Sequence, residues 1–137
     1  MGTFLEEITL ENVIDKGLAD RGYLKDTEVR TLKVKAMPDT GAWTLVINEY
    51  TRQKLGLSIE RMVKSTLADG KVANYPLTEA VTIKWKDRST TLPAMVIDGA
   101  KFILLGALPL EAMDLIVDPV RQELVGAHGE EPVHILC

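Results

Sequence analysis

The chain has 137 residues, 46% of them hydrophobic and 26% charged, the balance of a globular protein large enough to bury a core without staples. A net charge of -4 offers no basic footprint, which sets nucleic acid aside as a partner. The only cysteine is Cys137, so no internal disulfide can form, which suits a reducing compartment.

The start, Met1 to Glu7, lacks the basic and apolar regions of a secretory signal, and Glu6 argues against myristoylation. The longest apolar run, Phe102 to Leu108, is too short to cross a bilayer. The expectation is one cytoplasmic domain over residues 1–137, with no membrane partner.

Thr3 to Leu10 reads as a first strand, and Asn12 to Arg21, with Gly17 and Gly22 nearby, as a turn or short connection. Glu28 to Met37 alternates, which predicts a half-buried strand with Leu32, Val34 and Ala36 inward. Trp43 to Ile47 is a short continuous apolar run, the pattern of a buried strand. Asn48 offers an N-cap for a helix over Glu49 to Leu55, and Gly56 terminates it.

Val63 to Leu67 and Ala73 to Leu77 flank Asp69-Gly70, a hairpin signal. Val81 to Trp85 and Thr90 to Met95 flank Lys86 to Ser89, a second hairpin. Phe102 to Leu105 reads as a buried strand, followed by Gly106 and a short helix from about Pro109 to Met113. Leu115 to Val117 and Gln122 to Val125 are two further strands, and the tail 126–137 is expected to be loosely held. Many short strands with closely spaced turns indicate an all-β domain with one or two short helices.

The chain also echoes itself. Gly41 to Asn48 can be laid over Gly99 to Gly106, an offset of 99 minus 41, or 58 residues. Ala36-Met37 precedes the first turn and Ala94-Met95 the second. Each half reads as strand, turn, buried strand and short helix. Only the first turn carries Asp39-Thr40-Gly41; the second reads Ile97-Asp98-Gly99.

By chance the Asp-Thr-Gly tripeptide arises in roughly one chain in thirty of this length. Here Asp39-Thr40-Gly41-Ala42, the Asp69-Gly70 hairpin and Ile103-Leu104-Leu105-Gly106 occur in that order. Together they resemble a retropepsin-like aspartic protease of the prokaryotic single-lobe form, over about residues 28 to 125. The resemblance implies a closed β-barrel lobe, no cofactor and no metal. It implies a homodimer that acts on a peptide or protein substrate, with Asp39 from each subunit in one site.

It further implies that Gly106 packs under the active-site loop, that Thr40 bonds across the dimer, and that the Asp69-Gly70-Lys71 hairpin covers the substrate beside Ala42. Pro38 departs from the family, which has a branched apolar residue there. Lacking an N–H, it is expected to alter the strand entering the turn.

The chemistry needs these residue types. Two carboxylates activate one water: one acts as base while the other, protonated, polarises the scissile carbonyl. Bare carboxylates about 3 Å apart repel by roughly 5 kcal/mol at an effective dielectric near 20, so the pair holds one proton. Gly41 lets the backbone approach closely and donate its N–H to the Asp39 carboxylate. An extended substrate would add a strand to the covering hairpin, whose closure excludes water.

Plainer readings stand beside these. Asp39 could be an ordinary turn residue and Asp69-Gly70 an ordinary hairpin. Asp98 reads as a turn residue, and Asp114 and Asp118 as strand caps. His128 and His134 lack metal-ligand spacing. Trp43 reads as core more than cleft, Glu130-Glu131 as solvated surface, and Cys137 as incidental. The alternative function is a catalytically inactive dimerisation or peptide-binding module on the same fold.

Overall fold

The computed structural model describes residues 3–66 and 69–134. Its strands are β1 (Glu6–Asn12), β2 (Thr31–Pro38), β3 (Leu45–Ile47), β4 (Ile59–Thr66), β5 (Val72–Trp85), β6 (Arg88–Val96), β7 (Ile103–Leu105), β8 (Leu115–Asp118) and β9 (Glu123–Gly126). Three helices join them: α1 (Val13–Asp20), α2 (Glu49–Leu55) and α3 (Ala107–Ala112). The large sheet runs β1-β2-β7-β3-β6-β5-β4, and β1 also pairs with β5. Six strands therefore close into a barrel, with β4 outside it as an edge on β5. The strands β8 and β9 form a separate two-stranded sheet.

The short apolar runs are continuous because their strands are buried on both faces. Leu45 and Ile47 of β3, Ala94 and Val96 of β6, and Ile103 and Leu105 of β7 point into the barrel core. Val46, Met95 and Leu104 between them point outward into a second cluster with Leu77, Val63, Tyr75, Ala42 and Ile97. The alternating strand β2 behaves as expected: Ala36 is fully buried, and Leu32 and Val34 pack partly buried against the core.

The 58-residue echo is a pseudo-twofold of the fold. Strand β2 pairs with β7 in parallel, Ala36 opposite Ile103; β6 pairs with β3 in parallel, Ala94 opposite Leu45. Each pair is the other displaced by 58. The N–H of Asp39 donates to the Leu105 carbonyl (3.0 Å) just as that of Ile97 donates to the Ile47 carbonyl (2.9 Å).

The repeat extends beyond the segments 41–48 and 99–106. Arg30 stands immediately before β2, and Arg88 opens the equivalent strand β6. Gly56 and Asp114 each follow an equivalent helix in a left-handed conformation, φ 66° and 55°. A Cβ at Gly56 would strike the Arg30 guanidinium, so the first half needs glycine there.

The helix α2 is as expected, with the Asn48 side chain accepting the Thr51 N–H at 2.8 Å and Gly56 ending it. Where the sequence predicts a turn or short connection over Asn12 to Arg21, the chain forms the helix α1. The Asn12 side chain accepts the Asp15 N–H (2.9 Å) and donates to the Leu55 carbonyl (2.8 Å), capping the helix and tying it to the end of α2. The Asp15 carboxylate is gripped by Arg30 through Nε (2.7 Å), a terminal nitrogen (3.0 Å) and the backbone N–H (3.0 Å). Gly17 is tolerated because these tertiary bonds outweigh its low helix propensity.

The carboxyl-terminal segment is tied to the end of α3. Arg88 is buried and donates to the carbonyls of Met113 (2.9 Å), Asp114 (2.7 Å), Gly129 (2.6 Å) and Glu130 (3.1 Å). The buried Asp114 carboxylate accepts from the Val133 N–H (2.9 Å) and contacts His128 Nδ1 (2.8 Å). The Val133 N–H foremost, and His128 and Arg88 with it, hold Asp114 below the usual carboxylate range against the opposing effect of burial. Cys137 lies outside the described residues.

Candidate active site

Asp39 follows the last residue of β2, on a loop that runs to β3. Pro38 ends β2 in register with Leu105 rather than breaking the strand early. The missing proline N–H costs no ladder bond, because Asp39 supplies the donor to Leu105, as Ile97 does for its own partner. The Asp39 backbone carbonyl accepts the Ala42 N–H (3.1 Å), closing a tight turn. Its side-chain Oδ1 accepts the Gly41 N–H at 2.8 Å, which aims the carboxylate. A Cβ at residue 41 would stand 3.1 Å from that oxygen, so a side chain there would crowd the carboxylate. Asp39 is partly buried and Thr40 is exposed.

The start of α3 holds this loop from beneath. The Ala107 N–H donates to the Ala42 carbonyl (2.8 Å) and the Leu108 N–H to the Trp43 carbonyl (2.9 Å). These are first-turn donors that a helix leaves without internal partners. Gly106 makes the approach possible: a Cβ there would lie 2.6 Å from the Ala42 carbonyl and nearer still to that of Thr44. Thr44 is itself buried and donates its hydroxyl to the Pro93 carbonyl (2.9 Å). Trp43, expected in the core, is 40% exposed on the rim of the loop.

Asp69, Gly70 and Lys71 sit together at the exposed turn between β4 and β5, where the Lys71 N–H donates to the Asp69 side chain (2.9 Å). Leu67 and Ala68 of that turn lie outside the described residues. Among the described residues no hydrogen bond joins this turn to the Asp39 loop. The hairpin stem does reach it, since Val63 and Tyr75 share the second apolar cluster with Ala42 and Leu104. Asp39 and Thr40 themselves line a groove of about 790 Å³, together with Phe4, Pro38, Leu110 and Ile116 among others. Among the described residues no three His, Cys, Asp or Glu side chains converge as a metal would require.

A profile of the aspartyl protease family matches residues 25–108, from the approach to β2 through the Asp39 loop to the start of α3. The chain belongs to the aspartyl protease family.

The fold agrees. The retroviral protease-like domain of Ddi1 from Leishmania major aligns with a TM-score of 0.56 at 14% identity, over 96% of this chain and 94% of that one. A retropepsin-like aspartic protease from Rickettsia conorii aligns with a TM-score of 0.50 at 19% identity, over 85% of each. No curated protein sequence matches the chain. At these identities the likeness shows the fold, and the fold is retropepsin-like: a closed six-stranded barrel with three short helices rather than one or two. Among the described residues, no helix is long and apolar enough to cross a membrane.

The sequence reading missed two parts of the site. One is the pair of bonds from α3 to the Asp39 loop, signalled only by Gly106. The other is the groove, whose walls come from segments more than 100 residues apart.

Proposed function

We propose that this family member is an aspartic endopeptidase whose active site forms where two copies of the chain meet, each supplying Asp39. The observation that carries this is the asymmetry of the pseudo-twofold. The chain builds two equivalent turns, and only one holds a carboxylate at the decisive position; the other holds Ile97. A two-carboxylate mechanism therefore needs a second chain. Within the pair, one Asp39 would take a proton from water while the other, protonated, donates to the scissile carbonyl oxygen. Gly41 would orient each carboxylate through its N–H, and Thr40, exposed at the rim, would bond across to the partner.

The substrate would lie extended between the Asp39 loop and the β4–β5 hairpin, adding a strand beneath Asp69, Gly70 and Lys71. Its apolar side chains would meet Ala42, Val63, Tyr75 and Leu104. The expected result is peptide cleavage favoured at acid pH and abolished by Asp39→Asn. A purified wild-type dimer that cleaves no member of a diverse peptide library between about pH 3 and 7 would overturn this reading.

A further inference from the structure

Arg88 is a buried cation whose bonds go to backbone rather than to a carboxylate. The nearest carboxylate oxygen, of Asp114, is 4.0 Å away. One terminal nitrogen donates to the carbonyls of Met113 and Asp114 at the end of α3. These are acceptors that a helix leaves without internal partners. The other donates to the carbonyls of Gly129 and Glu130, on the segment that follows β9.

The opposite end of α3 supplies the Ala107 and Leu108 N–H groups that hold the Asp39 loop at Ala42 and Trp43. Six residues, about 9 Å of helix, separate the two ends. Inside it the Leu110 N–H donates to the Gly106 carbonyl (3.2 Å) and the Met113 N–H to the Pro109 carbonyl (3.1 Å). The loop then returns to the strand of the arginine itself. The Thr44 hydroxyl donates to the Pro93 carbonyl of β6, and β6 is paired with β5 from Arg88 to Pro93. The bonds therefore close a circuit: Arg88 to α3, α3 to the Asp39 loop, the loop to β6, and β6 back to Arg88. The other half has no such circuit among the described residues. There Arg30 turns to the Asp15 carboxylate instead of the end of α2.

We propose that Arg88 is a positioning residue for Asp39: it fixes the far end of α3, and through α3 the loop, while touching no reacting atom. Its effect on catalysis rests on the proposed role of Asp39; its hold on the loop does not. A short helix held only at its loop end is free to tilt, and the turn that carries Asp39 moves with it. Misplacing a reacting group by about 1 Å can cost roughly 100-fold in rate. Arg88→Lys keeps the charge, but one ammonium lacks the planar fork that reaches carbonyls on two segments. Arg30→Lys is the matched change in the other half. It loosens the grip on Asp15 and lies outside the circuit.

The test is amide hydrogen exchange of the full chain and both variants, read residue by residue, with steady-state peptide cleavage on the same samples. Arg88→Lys is expected to speed exchange of the Ala107 and Leu108 amides by at least about tenfold. It should lower kcat by about tenfold or more with KM within about twofold of wild type. Arg30→Lys is expected to leave those two amides and kcat unchanged. Unaltered exchange at Ala107 and Leu108 in Arg88→Lys overturns the proposal, whether or not the protein cleaves peptides. So does an equal fall of kcat in both variants, which would mark a loss of stability alone, or faster exchange with kcat unchanged. Faster exchange confined to Arg88→Lys, in a protein whose wild type cleaves nothing, overturns the protease reading and upholds the hold on the loop. Should Arg88→Lys not fold, the wild type still decides. In low denaturant the Ala107, Leu108 and Ala127 amides, the last bonded to the Asp114 carbonyl, should open as one unit. Separate opening of the first two overturns the proposal.

Discussion

The loops at 39–44 and 97–102 have the same backbone origin and different fates. Both leave a strand that pairs in parallel, both close a turn with equivalent hydrogen bonds, and both lead into a buried strand and a short helix. They differ in what lies beneath. The loop at 39–44 receives two N–H donors from the start of α3, whose Gly106 lets the backbones meet. At the equivalent place α2 begins with Asn48, whose side chain caps its own helix. Among the described residues no such bond ties α2 to the loop at 97–102. The carboxylate thus sits on the loop that the fold fixes, as a site that must hold its geometry requires.

This contrast can be broken or sharpened by substitution. Asp39→Asn should lower cleavage by between about 100-fold and 10,000-fold while leaving the sedimenting mass unchanged. Steady-state kinetics would check it; retained activity would mean that the two loops do not differ in function. Gly106→Ala should destabilise by about 3 kcal/mol, because a Cβ would press on the carbonyls of Ala42 and Thr44. Its counterpart Asn48→Ala removes only a cap and should cost about 1 kcal/mol. Denaturant midpoints of the two variants measure the difference directly, and equal losses would refute the claim that only one loop is clamped.

The two buried carboxylates beside the arginines of the repeat, Asp15 and Asp114, predict a pH dependence; the Val133 N–H is the foremost cause at Asp114. The bonds from Arg30 hold Asp15 below its ordinary range, outweighing the effect of burial. A carboxylate lowered in the folded state contributes stability above its unfolded value, lost as pH falls through the folded one. Asp15→Asn and Asp114→Asn should therefore each destabilise at neutral pH. The gap to wild type should narrow only below the ordinary carboxylate range, as denaturation at stepped pH would reveal. The smallest effect belongs to Asp98→Asn. That residue is exposed in the second loop, and the change should shift stability by no more than about 0.5 kcal/mol and leave cleavage unchanged.

Much of this was legible before the structure. Alternation marked β2, continuous apolar runs marked β3 and β7, and Asn48 with Gly56 bounded α2. The echo anticipated that both halves share one order of strand, turn, buried strand and short helix; the crossed parallel pairing of the halves came from the structure. What went unread has a common cause. The helix α1 forms in spite of Gly17 because Asn12 and Asp15 find Leu55 and Arg30 across the fold. Trp43 lies at the rim because α3 occupies the space beneath its backbone, although its neighbours in sequence are buried.

The sequence by itself determined the class of fold, its internal repeat, the family and the single Asp-Thr-Gly turn, because these follow from periods and spacings that act over a few residues or recur at a fixed interval. The tertiary structure alone decided which of two equivalent loops is held rigid. It also showed that Pro38 leaves the ladder whole, and where an apolar groove opens beside Asp39. These depend on contacts between segments about 65 to 115 residues apart, where close approach of backbones is set by packing rather than by local preference.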